Sequence, residues 1–288
     1  MSPDVAVGQQ LSTFRLRRRT PGSFVLVPCP RIGRSIRCQG QLEAAAATVL
    51  AACPAVVSIQ EQPCSIWYAW RETSHGPQIR LLPERPATPR QHKGRERCSY
   101  IVPDFLVEMC DGRTRLVEIK PSRKLDSPVV LRKLQVARAC AAQNGWSFHI
   151  VSERALFDGP LLANVRLLRR YRRVDVSGEL LDRAIGLVNS APTTLAHLSS
   201  QLQSWAAGQL VRTALFHLLA DERLACDLCA APLGDQTNIY PGGTHLWDPF
   251  DSVWAPNGCS TDAPSESSGN WQPIGSSPVT GSSTSMRR

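Results

Sequence analysis

Two carboxylates and a lysine are set into an otherwise apolar stretch, YIVPDFLVEMCDGRTRLVEIKPS at residues 100–122: Asp104, Glu118 and Lys120. Carboxylate oxygens hold Mg²⁺, a bound metal polarises phosphate and generates hydroxide from water, and an ammonium group steadies the attacking water or the developing charge. The residue types are therefore the minimum set for metal-assisted phosphodiester hydrolysis. Lysine is itself informative, because only four of the 33 basic residues are lysines, at 93, 120, 124 and 133. In a chain whose default cation is arginine, Lys120 marks a place that wants a compact ammonium. A fourth acid, Glu43, stands near the start of the Ala-rich run QLEAAAATVLAAC, where complementing the helix dipole is its plain alternative role.

Strand geometry decides whether these groups meet. Glu118 and Lys120 lie two apart and share a face, as do Asp104, Leu106 and Glu108. A two-residue turn at Asp111-Gly112 would pair Cys110 with Arg113 and set Asp104 against Ile119, on the wrong face. A three-residue loop of Asp111, Gly112 and Arg113, with Gly112 left-handed in a type I turn plus G1 bulge, sets Asp104 against Lys120 and Leu106 against Glu118. We expect this bulged register. The pattern Pro-Asp, gap, Glu-x-Lys is short enough to recur by chance, and a solvated edge hairpin is the ordinary alternative.

The elements around it read as a compact α/β or α+β unit. Residues 1–35 combine Arg15, Arg17, Arg18 and Arg19 with several prolines, which suits an extended basic arm. A helix follows at 41–53, stopped by Pro54, and strands at 56–62 and 65–70. Residues 72–97 lack periodicity and read as a surface loop. After the hairpin, Ser127, Pro128 and Gly145 have the types that start and end a helix, and 146–153 is a last strand. The nuclease-like unit is thus expected at 36–157. From 160 to 245 the texture is helical, with LLANVRLLRRYRR at 161–173, helices near 193–202 and 210–224, and a short β-like piece ACDLCAAPLG, a winged-helix-like order. Residues 249–288 are rich in Ser, Gly and Pro and are expected to be disordered.

In this setting the chain resembles the TnsA-like endonuclease subunit of heteromeric bacterial transposases, in the PD-(D/E)xK nuclease superfamily. The resemblance covers about residues 30–155 and rests on QLEAAAATVLAACPAVVSIQEQP, YIVPDFLVEMCDGRTRLVEIKP and AAQNGWSFHIVSE occurring in order. It implies a restriction-endonuclease-like core with a mixed sheet flanked by helices, a winged-helix-like C-terminal domain, and an active site of Glu43, Asp104, Glu118 and Lys120. It also implies Mg²⁺ (or Mn²⁺) held by Asp104, Glu118 and Glu43, and cleavage of one strand at double-stranded transposon ends. The implied partners are an RNase H-like transposase subunit and an AAA+ ATPase regulator. Two departures are Gly40, where relatives carry a Ser-like cap, and the length of the 72–97 segment. A stand-alone nuclease of restriction or repair type and an inactive DNA- or protein-binding relative are the alternatives.

Composition narrows the classes. The net charge is +9 and the acidic C-terminal stretch leaves the excess on residues 1–240, which is compatible with a polyanionic partner. No apolar run reaches the ~18 residues of a membrane span, and residues 1–10 lack the blocks of a secretion signal, so a bacterial cytoplasmic location is expected. Ten unevenly spaced cysteines suggest reduced thiols. Cys226-x-x-Cys229, with His245 and Cys259, is a weak zinc pattern, and two small packed residues fit it better. Lys133 and Gln135 read as a solvated helix face and His149 as a core or edge residue. Trp67, Tyr68 and Trp70 read as strand packing, with base stacking as the alternative.

Overall fold

In this computed structural model the described residues are 25–74, 76–86, 96–190 and 193–254. The expected arginines at 15–19, Lys93, Cys259 and the segment from 255 to 288 lie outside them. The chain builds around α1 (Gln41–Ala52), in which every residue from Ala44 to Ala51 is buried. A helix apolar on all sides belongs in a core, and its alanines let neighbouring layers approach closely.

One neighbouring layer is a hairpin of β1 (Val25–Cys29) and β2 (Arg34–Cys38). This corrects the basic arm, which does not extend to 35: Val27, Cys29, Ile36 and Cys38 are buried, and the alternation hides between prolines and arginines. The other layer is a four-stranded sheet. It contains β3 (Val56–Glu61), β7 (Phe105–Met109), β8 (Thr114–Ile119) and β9 (Ser147–Val151), in the order β3-β7-β8-β9. All pairs are antiparallel except β8 with β9, which is parallel. The parallel pair is joined through α2 (Pro128–Gln143), which covers the face opposite α1 and packs Val136, Ala137 and Ala141 against Leu116. The fold is therefore a mixed α+β core with a mixed sheet flanked by helices.

The hairpin register differs from the expected one. Phe105 pairs with Val117 and Leu106 with Leu116, and Met109 N–H donates to Arg113 O at 2.9 Å, so the loop is Cys110, Asp111 and Gly112. Gly112 does take the left-handed conformation, φ +81°. Continuing the ladder by one residue sets Asp104 opposite Glu118 instead of Lys120, a slip of two that keeps every side chain on its expected face.

The 72–97 surface loop also needs correction. Residues β4 (Ile66–Thr73), β5 (Gly76–Leu82) and β6 (Arg97–Ile101) form a second sheet in the order β5-β4-β6. Ile79 and Leu81 face α2 while Gln78 and Arg80 face outward, a period of two obscured by Pro77, which sits on an edge strand.

The C-terminal part contains α3 (Glu153–Phe157), α4 (Leu161–Tyr171), α5 (Gly178–Ser190), α6 (Leu195–Leu202) and α7 (Gly208–Ala220). Short strands β10 (Thr193–Thr194), β11 (Leu224–Ala225) and β12 (Asn238–Pro241) pair in the order β10-β12-β11. Helix α5 was missed, although Leu180, Leu181, Ala184 and Val188 have the spacing of a buried stripe. The β-like piece shrinks to β11, and its partner is β12. Residues 249–254 are not part of a loose tail: Phe250 and Trp254 are buried, and one apolar cluster runs from Val27 through Leu162 and Leu215 to Trp254. No helix of the described residues is long and apolar enough to cross a membrane.

The turn gives a direct test. A Cβ at Gly112 meets no atom within 4 Å, so substitution carries only the strain of the left-handed backbone. Gly112→Ala should lower unfolding free energy by about 1–2 kcal/mol. Gly112→Asn should cost markedly less, as urea titration will read. Equal losses for both would remove the backbone explanation.

Candidate active site

Asp104 sits just before β7 and is fixed from both ends. Its carbonyl accepts from Gln62 N–H at 2.9 Å, and its carboxylate Oδ2 accepts from Ile119 N–H at 2.6 Å. Gln62 reaches it from φ +49°, a left-handed conformation uncommon outside glycine, immediately before Pro63. The sequence EQP at the end of β3 is therefore a device for holding Asp104. Glu118 projects from β8 beside it. Lys120 follows the strand, with its N–H donating to Val151 O at 3.0 Å. Its Nζ lies 2.5 Å from Glu118 Oε1, 3.7 Å from Asp104 Oδ2 and 3.1 Å from Ile119 O.

Glu43 approaches from the first turn of α1. Its Oε2 accepts from Gln39 N–H at 2.7 Å, so the helix-start role is real. It also feels Asp104 and Lys120: burial first, then repulsion from Asp104, raises its carboxyl to about 7. Burial followed by Asp104 raises Glu118 to about 7 as well, and burial raises Asp104. Desolvation alone would lower Lys120, but Asp104 and Glu118 outweigh it and hold the ammonium above its ordinary value. The structure thus brings Asp104, Glu118 and Lys120 into contact and puts Glu43 within their electrostatic reach.

A divalent cation suits this corner on chemical grounds. Glu118 Oε2 is buried without a hydrogen-bond partner, and two carboxylates raised by burial, one of them further by its neighbour, gain most from a cation between them. Among the described residues no three His, Cys, Asp or Glu side chains gather into a closed metal cage. An open pair of carboxylates is the donor set on which Mg²⁺ keeps most of its water.

Sequence reasoning missed Glu61 and Cys38. Glu61 is buried and pairs with Arg34 at 2.7 Å and Arg37 at 3.1 Å; burial opposes its ionisation, and these guanidiniums overcome that and lower its pKa. It ties β2 to the end of β3 that leads into Gln62. An acid in a strand ending EQ, downstream of alternating arginines, was the available signal. Cys38 is pushed up to about 12 by burial, then by Glu43, Glu61 and Asp104, which places its thiol beside the same acids.

The rival constellations fall elsewhere. Lys133 and Gln135 are exposed on α2. Cys226 is buried, which pushes its thiol up to about 12, while Cys229 accepts from Ser252 Oγ at 3.3 Å and His245 is exposed. His149 is buried, its Nδ1 3.1 Å from Trp254 O and its Nε2 3.4 Å from the Arg115 guanidinium. The nine cysteines of the described residues are all free.

Glu118 gives a pH test with a definite sign. A carboxyl whose folded pKa is about 7 against an ordinary 4.5 favours the folded state while protonated. That stabilisation is complete below the lower value and is lost as pH rises through the higher one. In metal-free protein, Glu118→Gln should therefore gain melting temperature relative to wild type between pH 5 and pH 8, by roughly 2–6 °C. A difference that does not change with pH would show that Glu118 is not held in this way.

Residues 53–153 match the family model described as TnsA-like endonuclease N terminal. The matched span includes Asp104, Glu118 and Lys120 and begins after Glu43. No curated protein matches the chain.

Proposed function

From the premise that residues 53–153 are a TnsA-like endonuclease N-terminal domain, we propose that this chain is a Mg²⁺-dependent DNA endonuclease subunit of a heteromeric transposase. In that role it cuts one strand at double-stranded transposon ends. The observation that supports the reading most strongly is the desolvated corner in which Lys120 Nζ contacts Glu118 while Glu118 Oε2 remains unsatisfied.

Asp104 and Glu118 would hold the metal, assisted by Glu43, and Mn²⁺ fits the same oxygen donors. When bound, Mg²⁺ supplies Lewis acidity toward phosphate and water. The chain's own groups do the rest. Ile119 N–H fixes the Asp104 carboxylate, so its orientation is set before DNA arrives. Lys120 is held protonated by its two acids, so it acts as an ammonium that positions water and offsets developing charge, not as a neutral base. Glu43 and Glu118, raised to about 7, are the groups whose ionisation near neutrality sets the charge of the site.

The core is read as restriction-endonuclease-like. The sequence α5, β10, α6, α7, β11, β12 with sheet order β10-β12-β11 supports a winged-helix-like unit at about 160–245. The arginines of α4, Arg166, Arg169 and Arg170, add cationic surface suited to a DNA or protein partner. The partners proposed are an RNase H-like transposase subunit that cuts the other strand, and an AAA+ ATPase regulator. The setting is the bacterial cytoplasm.

Nicking of supercoiled plasmid carrying transposon ends, with Mg²⁺ and partner subunits, tests the proposal. Asp104→Ala and Lys120→Ala should each lose about 10²-fold or more in rate. Lys120→Arg should not restore it, because the planar guanidinium cannot replace a compact ammonium. Activity equal to wild type in Asp104→Ala dismisses the assignment. Full cleavage without any partner would instead favour a stand-alone nuclease.

A further inference from the structure

The aromatic run Trp67, Tyr68, Trp70 is divided by the second sheet. Tyr68 and Trp70 point inward with Ile66, against α2. Trp67 points outward and stacks on Tyr100 of the neighbouring strand, with ring centroids 4.7 Å apart and planes inclined by 36°. Leu82 pairs with Trp67 from the other side. Tyr100 is 38 % exposed, so this is an aromatic surface facing solvent.

Arginines frame it. The Arg85 guanidinium lies 5.8 Å from the Trp67 ring, and Arg71, on the same face, donates to Gln78 at 2.7 Å. Neither meets a carboxylate within 4 Å among the described residues. A third, Arg80, pairs with Glu96 at 3.2 Å and closes over buried Ala69 between them. The centre of the face is therefore neutral and filled, whereas its aromatic end is bordered by the Arg85 guanidinium, with Arg71 at the far end of the same face.

That end is the one next to the active site. Strand β6 runs from Arg97 toward Ile101, and Tyr100 precedes Asp104 by four residues, which limits their Cα separation to about 14 Å. Nucleotides along a strand advance by ~3.4 Å, so about four nucleotides are enough to span from Asp104 to the aromatic pair.

We propose that Trp67 and Tyr100 form a stacking platform for unpaired bases of the DNA strand close to the scissile phosphate, with Arg71 and Arg85 contacting its backbone. This rests on the reading of the chain as a DNA endonuclease. A tilted aromatic pair offers a π-face to any base, so recognition is tolerant of sequence but requires that the base be out of the duplex. The platform would hold a frayed end in place during the cut.

The test uses the full chain without metal, and compares a 12-nucleotide thymidine strand with an abasic deoxyribose-phosphate strand of equal length at one salt concentration. Wild type should bind the base-bearing strand about tenfold more tightly and quench tryptophan fluorescence as it does. Trp67→Leu and Tyr100→Leu should lose that preference and keep the abasic affinity. Tyr100→Phe should keep both, which guards against a folding defect. Equal affinity of wild type for the two strands, or a preference that survives both leucine variants, overturns the platform. Nicking by wild type against Asp104→Ala is scored separately, so the platform and the nuclease reading can fail independently.

Discussion

The constraint on which the rest depends is the burial of two carboxylates side by side, Asp104 and Glu118, with one ammonium between them. Taken out of water, both acids are raised, Glu118 further by Asp104, and the pair is offset by Lys120, which lies within ion-pair distance of both, and by the Ile119 N–H that donates to Asp104. Such a corner needs its backbone fixed to within fractions of an ångström. Three separate segments supply that: the left-handed Gln62 behind Asp104, the parallel pairing that fixes Lys120 through Val151, and the glycine loop that sets the strand register. An apolar core would cost less to build, and among the described residues Glu118 Oε2 is the one buried carboxylate oxygen left without a hydrogen-bond partner.

The same economy of space explains the helix behind the site. Its alanines fill a seam shared by the β1-β2 hairpin, the main sheet and α4, so Glu43 is delivered by an element that cannot shift without disturbing the core. The C-terminal helices join that core directly. Arg169 donates to Thr48 Oγ1 on α1 at 3.2 Å, Arg31 pairs with Glu222, and Arg115 reaches Asp251 at 3.4 Å under the Phe250 ring. The C-terminal helices and α1 are thus packed into one contiguous apolar cluster.

Much of this was legible in the sequence. Helix 41–52, the hairpin, α2 and β9 follow from propensity, caps and turn residues, and the charged types at 104, 118 and 120, set in an apolar stretch, pointed to the corner where the structure brings them together. What was illegible has a common cause. The hairpin at 25–38 and strand β5 alternate properly, but prolines and arginines on their outward faces read as loop, because an edge strand carries the polar and proline residues that a central strand cannot. Phe250 and Trp254 were assigned to the tail by the composition around them, although two aromatics five residues from a stretch of Ser and Gly are anchors by type. Gln62 could not have been found by propensity, since its conformation is imposed by the Asp104 carbonyl it must reach.

The register of the hairpin shows why side chains can be placed on the right face from a wrong pairing. A G1 bulge requires the left-handed residue at the last loop position, and glycine is the residue that occupies it without strain. With Gly112 last, the loop must be 110–112; placing Gly112 in the middle, as in the loop 111–113, contradicted the turn's own requirement. The two choices differ by two positions in the sum of paired residues, and strands repeat every two, so the faces are unchanged while the partners move. Asp104 then looks across at Glu118, carboxylate against carboxylate, and Lys120 comes in diagonally from one step beyond. That arrangement leaves a carboxylate oxygen, Glu118 Oε2, without a protein partner. The even slip turns a one-to-one ion pair into two carboxylates sharing one ammonium.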